Sequence, residues 1–250
     1  LTAGAGSALT FYSGFGLGTL LLPVFAIFFP VELAVGMTAV VHLLNNLFKF
    51  SLVGRYVNGG VFLRFGFPAI GAAFLGASLL VQVSDLPAIM DYTVLGYEFS
   101  VEPVKLVIGL LIIVFAGFEI IPSLSRWTVS PRYLPFGGML SGFFGGLSGH
   151  QGALRSAFLV RCGLSKESFI ATGVAIAVCI DVSRLMIYGS NLSSHFTGSN
   201  GVVLGAATAS AFVGALLGNL YLKKITMTRI QQIVASMLLV FALLMAGGII

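Results

Sequence analysis

The chain has 250 residues, 58% of them hydrophobic and 8% charged, with 13 Lys+Arg against 8 Asp+Glu for a formal net charge of +5. Ordinary soluble domains carry roughly 25% charged residues, so a fold that wets most of its surface is excluded, and a mean hydropathy of +1.05 suits lipid as the solvent. The cationic balance does not indicate nucleic-acid binding, because no basic stripe with interleaved aromatics accompanies it. Cys162 and Cys179 lack CxxC spacing, which argues for neither a disulfide nor a metal site. The sequence opens on Leu1 rather than a methionine and reads as trimmed.

In chain order, apolar segments fall at 3–29, 31–54, 60–84, 104–122, 134–160, 168–189, 200–222 and 229–250. A spanning helix needs about 20 mostly apolar residues, and these runs are continuous, without the alternation of a membrane β-barrel. The expected fold class is therefore an all-α integral membrane protein. The 32 glycines suit it, since small residues let membrane helices approach closely. The segments divide four and four, and the halves echo each other. Ser13-Gly-Phe-Gly-Leu-Gly18 of the first segment faces Ser141-Gly-Phe-Phe-Gly-Gly146 of the fifth, and Ala34-Val-Gly36-Met-Thr38 faces Ala171-Thr-Gly173-Val-Ala175. Residues 1–125 and 126–250 are thus expected to form two transmembrane repeats.

Segments one and five are interrupted by glycine: Gly14, Gly16 and Gly18 in one, Gly145, Gly146, Gly149 and Gly152 in the other. Corresponding breaks in two halves point toward a transporter's binding site. Such segments are either kinked full spans or re-entrant hairpins. If all eight cross, Arg55, Arg64, Arg126 and Arg132 lie on one side and Lys105, Arg161, Lys166, Lys223, Lys224 and Arg229 on the other, which is no bias. With segments one and five re-entrant, every one of these except Lys105 falls on a single side, as the positive-inside rule expects. The acidic loop with Asp85, Asp91, Glu98 and Glu102 and the polar loop around His195 then lie outside. Each half is accordingly expected to hold one re-entrant hairpin and three spans. An odd number of spans inverts the second half and puts both termini on the extracytoplasmic side.

With these motifs the chain resembles the TauE/SafE sulfite-exporter family, also called the toluene-sulfonate uptake permease family. The family's first-half signature, Gly-x-Gly-x-Gly-x4-Pro, reads here as Gly14-Phe-Gly16-Leu-Gly18-Thr-Leu-Leu-Leu-Pro23. Its second glycine run reads as Gly145-Gly-Leu-Ser-Gly149-His-Gln-Gly152-Ala-Leu-Arg155, which lacks the proline and carries His150 and Gln151. The resemblance implies transport of sulfite or a related sulfur anion, thiosulfate or an organosulfonate, across a plasma membrane of the bacterial inner-membrane type.

Polar residues deep in membrane segments are costly and draw attention first. Arg155 follows the second break, and its guanidinium fork suits an oxyanion. Gly149, His150, Gln151 and Gly152 beside it offer backbone and side-chain donors at the start of a half-helix, and Gly14, Gly16 and Gly18 supply matching backbone from the first half. The competing reading has Arg155 snorkelling and the glycines merely packing helices. His42, Asn45, Asn46 and Lys49 share a helix face; His42 can bind substrate or carry a proton, and Lys49 is expected to snorkel. Asp181 and Arg184, at i and i+3, can form an ion pair, either structural or placing Arg184 on the anion. No enzyme motif, cofactor site or metal site is present among these patterns, and an ATP-binding motif is absent too. The expected function is secondary transport of a small sulfur-containing anion, held at the hairpin tips and linked to a coupling proton or other ion. A passive anion channel and a membrane subunit of a larger complex are the alternatives.

Overall fold

The computed structural model describes residues 3–4, 17–121, 128–195, 198–221 and 227–250. The apolar segments are helical with nearly the expected bounds: α1 (Leu17–Ala26), α2 (Val31–Val53), α3 (Gly59–Ser84), α4 (Pro103–Ile120), α5 (Leu134–Ser148), α6 (Gly152–Leu159), α7 (Lys166–His195), α8 (Gly198–Tyr221) and α9 (Met227–Ala246). Val31–Tyr56, Gly59–Ser84 and Lys166–Gly189 are long and apolar enough to cross a membrane, and Pro103–Phe118, Gly201–Gly214 and Ala235–Ala246 add shorter apolar stretches. Local chemistry sets the boundaries. The Asn58 side chain accepts from the Val61 N–H at 3.0 Å to cap α3, proline opens α4 and α5, and α5 stops where Gly149 turns left-handed at φ +83°.

Two expectations need correction. The chain is not purely helical: Met90–Val94 and Tyr97–Val101 pair as an antiparallel β-hairpin, with Val94 opposite Tyr97. Its two-residue turn has positive φ at both Leu95 and Gly96, as this tight connection requires. The acidic loop is thus an ordered projection between α3 and α4. In addition, α7 runs on to His195, so that residue has helical backbone instead of lying in a loop.

Segment five is a hairpin rather than a kinked span. A Cβ on Gly137, near the start of α5, would fall 2.5 Å from the ring of Phe158, near the end of α6. The Val129 N–H also donates to the Ala157 carbonyl at 3.1 Å. The arms of 15 and 8 residues reach about 22 and 12 Å, short of the roughly 30 Å of a bilayer core. Gly14 and Gly16 of the first segment lie outside the described residues.

The helices pair as α3 with α5, α4 with α9, α2 with α7, α3 with α7, α1 with α2 and α8 with α2. Glycine makes the α3–α5 contact possible. Gly138, Gly142 and Gly146, spaced by four, lie directly on the carbonyls of Phe65, Ala69 and Ala73, the close backbone approach that only small residues permit. Gly214 of α8 lies in the same way on the backbone of Gly4. Gly142→Leu is therefore expected to cost more than the about 1–3 kcal/mol of ordinary overpacking, because its obstacle is backbone. Thermal unfolding in detergent checks this against Gly71→Leu, an exposed glycine with nothing within 4 Å of its Cβ position, which is expected to leave the midpoint unchanged.

The two ends of the bundle differ in charge. The Asn58 N–H donates to Thr172 Oγ1 at 2.9 Å, so the α2–α3 turn meets the start of α7. The start of α5 and the end of α6 join them in one core with Phe65, Leu134, Phe158 and Ile176. Arg55, Arg64, Arg132, Arg161 and Lys166 belong to this end. At the other, Tyr92 of the β-hairpin donates to the Gly247 carbonyl at 2.5 Å, and Asp85, Asp91, Glu98 and Glu102 collect with Lys105. Between the ends, Leu63, Phe67, Leu75, Leu110, Val114, Met186, Val202, Met237, Val240 and Leu243 are exposed. That is an apolar belt lipid would cover and water would not tolerate.

Candidate functional site

Midway between the ends, four elements bring polar side chains together. His42 is the twelfth of 23 residues in α2 and Asp181 the sixteenth of 30 in α7, so both sit at mid-helix. His42 Nδ1 lies 2.6 Å from Asp181 Oδ2, and Asn46 Nδ2 donates to the same oxygen at 3.1 Å. On the other side of the carboxylate, Arg184 Nε and Nη2 donate to Oδ1 at 3.1 and 2.8 Å, and Gln151 Nε2 reaches it at 3.4 Å. Asp181 and Arg184 are both 0% exposed. Five donors converge on this one buried carboxylate, and hydrogen bonds of this kind offset the desolvation of a charge.

The α5–α6 tip closes over this cluster. Ser141 Oγ donates to the Gln151 carbonyl at 3.1 Å, and Tyr188 of α7 donates to the Gly146 carbonyl, so the tip is tied at both flanks. His150 stacks on Phe115 of α4, ring centroids 5.4 Å apart, with Nδ1 3.0 Å from Ser148 Oγ. A Cβ on Gly149 would fall 2.7 Å from Arg184 Nη1. From the first half, the Cβ position of Gly18 lies 3.5 Å from Thr38 Cγ2 and 3.8 Å from the Gly149 carbonyl oxygen. The two glycine segments therefore meet here.

Three buried polar atoms at this meeting point have no hydrogen-bond partner among the described residues: Arg184 Nη1, His150 Nε2 and Thr38 Oγ1. An unsatisfied buried donor costs about 1–3 kcal/mol, more when charged, and such orphans are uncommon in folded proteins. The charges around them are also unbalanced. Arg155 Nη1 donates to the neutral Gln151 Oε1, at 3.3 Å, and among the described residues Asp181 is the buried carboxylate that both guanidiniums feel. Lys49 sits in the field of Arg155.

Of the expected site residues, the fold gathers Gly18, His42, Asn46, Gly149, His150, Gln151, Asp181 and Arg184, with Gly152 at the N-terminus of α6 and Arg155 one turn further on. Asn45 is buried on the same helix. Gly14 and Gly16 fall outside the described residues. Lys49 is a correction: expected to snorkel, it is 6% exposed, held inside where α2 packs on α7. Emphasis also moves from Arg155, which is half-buried, to Arg184. Thr38, Ser141, Phe115 and Tyr188 were not expected. Thr38 alone carried a sequence signal, lying one turn before His42 on the same face.

The arrangement gathers buried donors around one carboxylate, with Arg155 and Arg184 both at hand. No curated protein and no solved structure matches the chain. Residues 1–245 match the family described as sulfite exporter TauE/SafE, and the chain, a multi-pass helical membrane protein, belongs to that transporter family.

Proposed function

We propose that this protein is a secondary transporter of a small sulfur-containing oxyanion, such as sulfite, thiosulfate or an organosulfonate, which binds where the two glycine segments meet. The observation that carries the reading is the pair of buried donors Arg184 Nη1 and Thr38 Oγ1, unpartnered among the described residues, beside a second guanidinium. An anion between them satisfies both donors and balances the charge. Such charge-assisted bonds to oxyanions are short and strong.

The reading extends to architecture. Residues 1–125 and 126–250 are two inverted repeats, each a re-entrant hairpin followed by three membrane helices. In support, exchanging α1 with α6, α2 with α7, α3 with α8 and α4 with α9 maps the packing pairs onto one another: α3–α7 onto α8–α2, α1–α2 onto α6–α7, and α2–α7 and α4–α9 onto themselves. The Gly4–Gly214 approach then corresponds to the glycine contact of α5 with α3. The arginine-rich end faces the cytoplasm by the positive-inside rule, which puts both termini outside the bacterial inner membrane. Rocking of one repeat against the other exposes the site to each side in turn.

Flux of radiolabelled thiosulfate and sulfite into proteoliposomes tests the function. The expected result is saturable uptake, accelerated by unlabelled anion on the opposite side. Arg155→Ala is expected to raise KM about tenfold, the loss of one charged donor worth roughly 1.5–3 kcal/mol. Non-saturating flux without countertransport would indicate a channel, and no flux would exclude autonomous transport.

A further inference from the structure

The His42–Asp181 contact has a role that anion binding alone does not require. It joins residues 139 apart in sequence, bridges α2 and α7 at mid-depth, and at 2.6 Å is the shortest contact to the Asp181 carboxylate. Asp181 Oδ2 accepts, so His42 Nδ1 carries a proton, and Asn46 completes that oxygen at 3.1 Å. With Nδ1 fixed as a donor, Nε2 is the nitrogen left to gain or lose a proton. The carboxylate cannot take that proton readily, since Arg184, Gln151 and Asn46 all donate to it.

We infer that His42 is the proton-carrying residue of the transport cycle and that the anion moves together with a proton. The inference rests on the proposed anion site. Protonation at Nε2 from the aqueous side in contact with the site adds one positive charge to a cluster holding Asp181, Arg184 and Arg155. Those three sum to +1 with His42 neutral and to +2 with it charged, so the protonated state balances a divalent anion. Anion and proton therefore favour each other's binding, which by linkage is reciprocal. Both leave on the opposite side, where His42 Nε2 returns its proton to water.

Few charged groups surround His42 among the described residues. On its own helix His42 has Glu32 near the start and Lys49, two turns along and in the field of Arg155. From α7 it faces Asp181 and Arg184, and the hairpin tip adds His150 and Arg155 behind them. Helices α1 and α8, both packed on α2, hold no Asp, Glu, Lys, Arg or His within Leu17–Ala26 and Gly198–Tyr221. Arg55, Tyr56 and Arg64, on the neighbouring turn and α3, are exposed at the bundle end.

Thiosulfate, fully ionised across the range of histidine titration, is the probe. Its binding to the detergent-solubilised protein is measured calorimetrically at several pH values, in buffers of different ionisation enthalpy. Wild type is expected to take up close to one proton per anion wherever His42 is neutral before the anion binds, with affinity there falling by up to about tenfold per pH unit. His42→Gln is expected to bind weakly with no proton uptake, and His150→Gln to keep the proton linkage. Binding by the wild type without proton uptake overturns the inference, with no dependence on how either variant folds. So does uptake that persists in His42→Gln or vanishes only in His150→Gln. Proton-linked binding without liposome flux would support His42 while removing the transporter reading.

Discussion

Replacing Arg184 with alanine is expected to be the most damaging single change in the protein. The guanidinium is fully buried and donates twice to Asp181. Its removal leaves the Asp181 carboxylate with no guanidinium bonded to it, and breaking a buried pair from one side costs about 3–5 kcal/mol. His42 and Asn46 still contact Oδ2 and soften the loss only in part. The informative comparison is the double variant Asp181→Asn, Arg184→Gln. Removing both charges avoids the uncompensated ion, so most of the thermal stability is expected to return. Anion binding is not expected to return, because Arg184 Nη1, the unpartnered donor, is gone. Thermal unfolding and thiosulfate titration on the same samples make the check. Recovery of both properties would mean the pair only holds α7 in place.

Gly149→Ala is expected to separate binding from folding. At φ +83° an alanine costs about 1–2 kcal/mol of backbone strain. Its methyl would also lie 2.7 Å from Arg184 Nη1, and Arg184 cannot yield without loosening its bonds to Asp181. Anion affinity is therefore expected to fall by about tenfold or more, equivalent to roughly 1.4 kcal/mol. Gly163→Ala supplies the control: that residue has φ +66° and nothing within 4 Å of its Cβ position, so it pays the same strain without touching the site. Equal losses of affinity in the two variants would assign the effect of Gly149 to backbone strain alone.

Much of this was legible in the chain because the membrane simplifies the code. Continuous apolar runs marked the helices to within a few residues, and the glycine run ending at Gly149 marked the hairpin tip. The spacing of Asp181 and Arg184 is enough to anticipate their pairing, since i and i+3 share a helix face. The contact of His42 with Asp181 was not legible, because nothing local connects residues 139 apart. The burial of Lys49 was missed for a related reason: whether a lysine snorkels depends on what packs over it, and here it is enclosed within reach of Arg155's charge. The β-hairpin was overlooked because the acids of 85–102 drew the reading toward a loop. The alternation of Tyr92 with Val94 and of Tyr97 with Phe99 is present, but Leu95-Gly96 lacks the Asn-Gly or Asp-Gly turn that usually signals such a hairpin. The glycines at 138, 142 and 146 showed only as composition; their register against Phe65, Ala69 and Ala73 requires both helices in place.

The site also explains why a transporter tolerates polar orphans in its interior. A donor satisfied permanently by protein offers an anion little, whereas Arg184 Nη1 is held ready by the bonds its other nitrogens make to Asp181, and Thr38 Oγ1 waits beside Gly18. Positioning without satisfaction lowers the ordering cost of binding. The most direct measurement is a structure with selenite, the heavier analogue of sulfite, read from the anomalous signal of selenium. The account predicts a single strong peak between the glycine segments, with selenite oxygens within hydrogen-bonding distance of Arg184 Nη1 and Thr38 Oγ1. A peak elsewhere in the bundle, with those two donors still unpartnered, would contradict it.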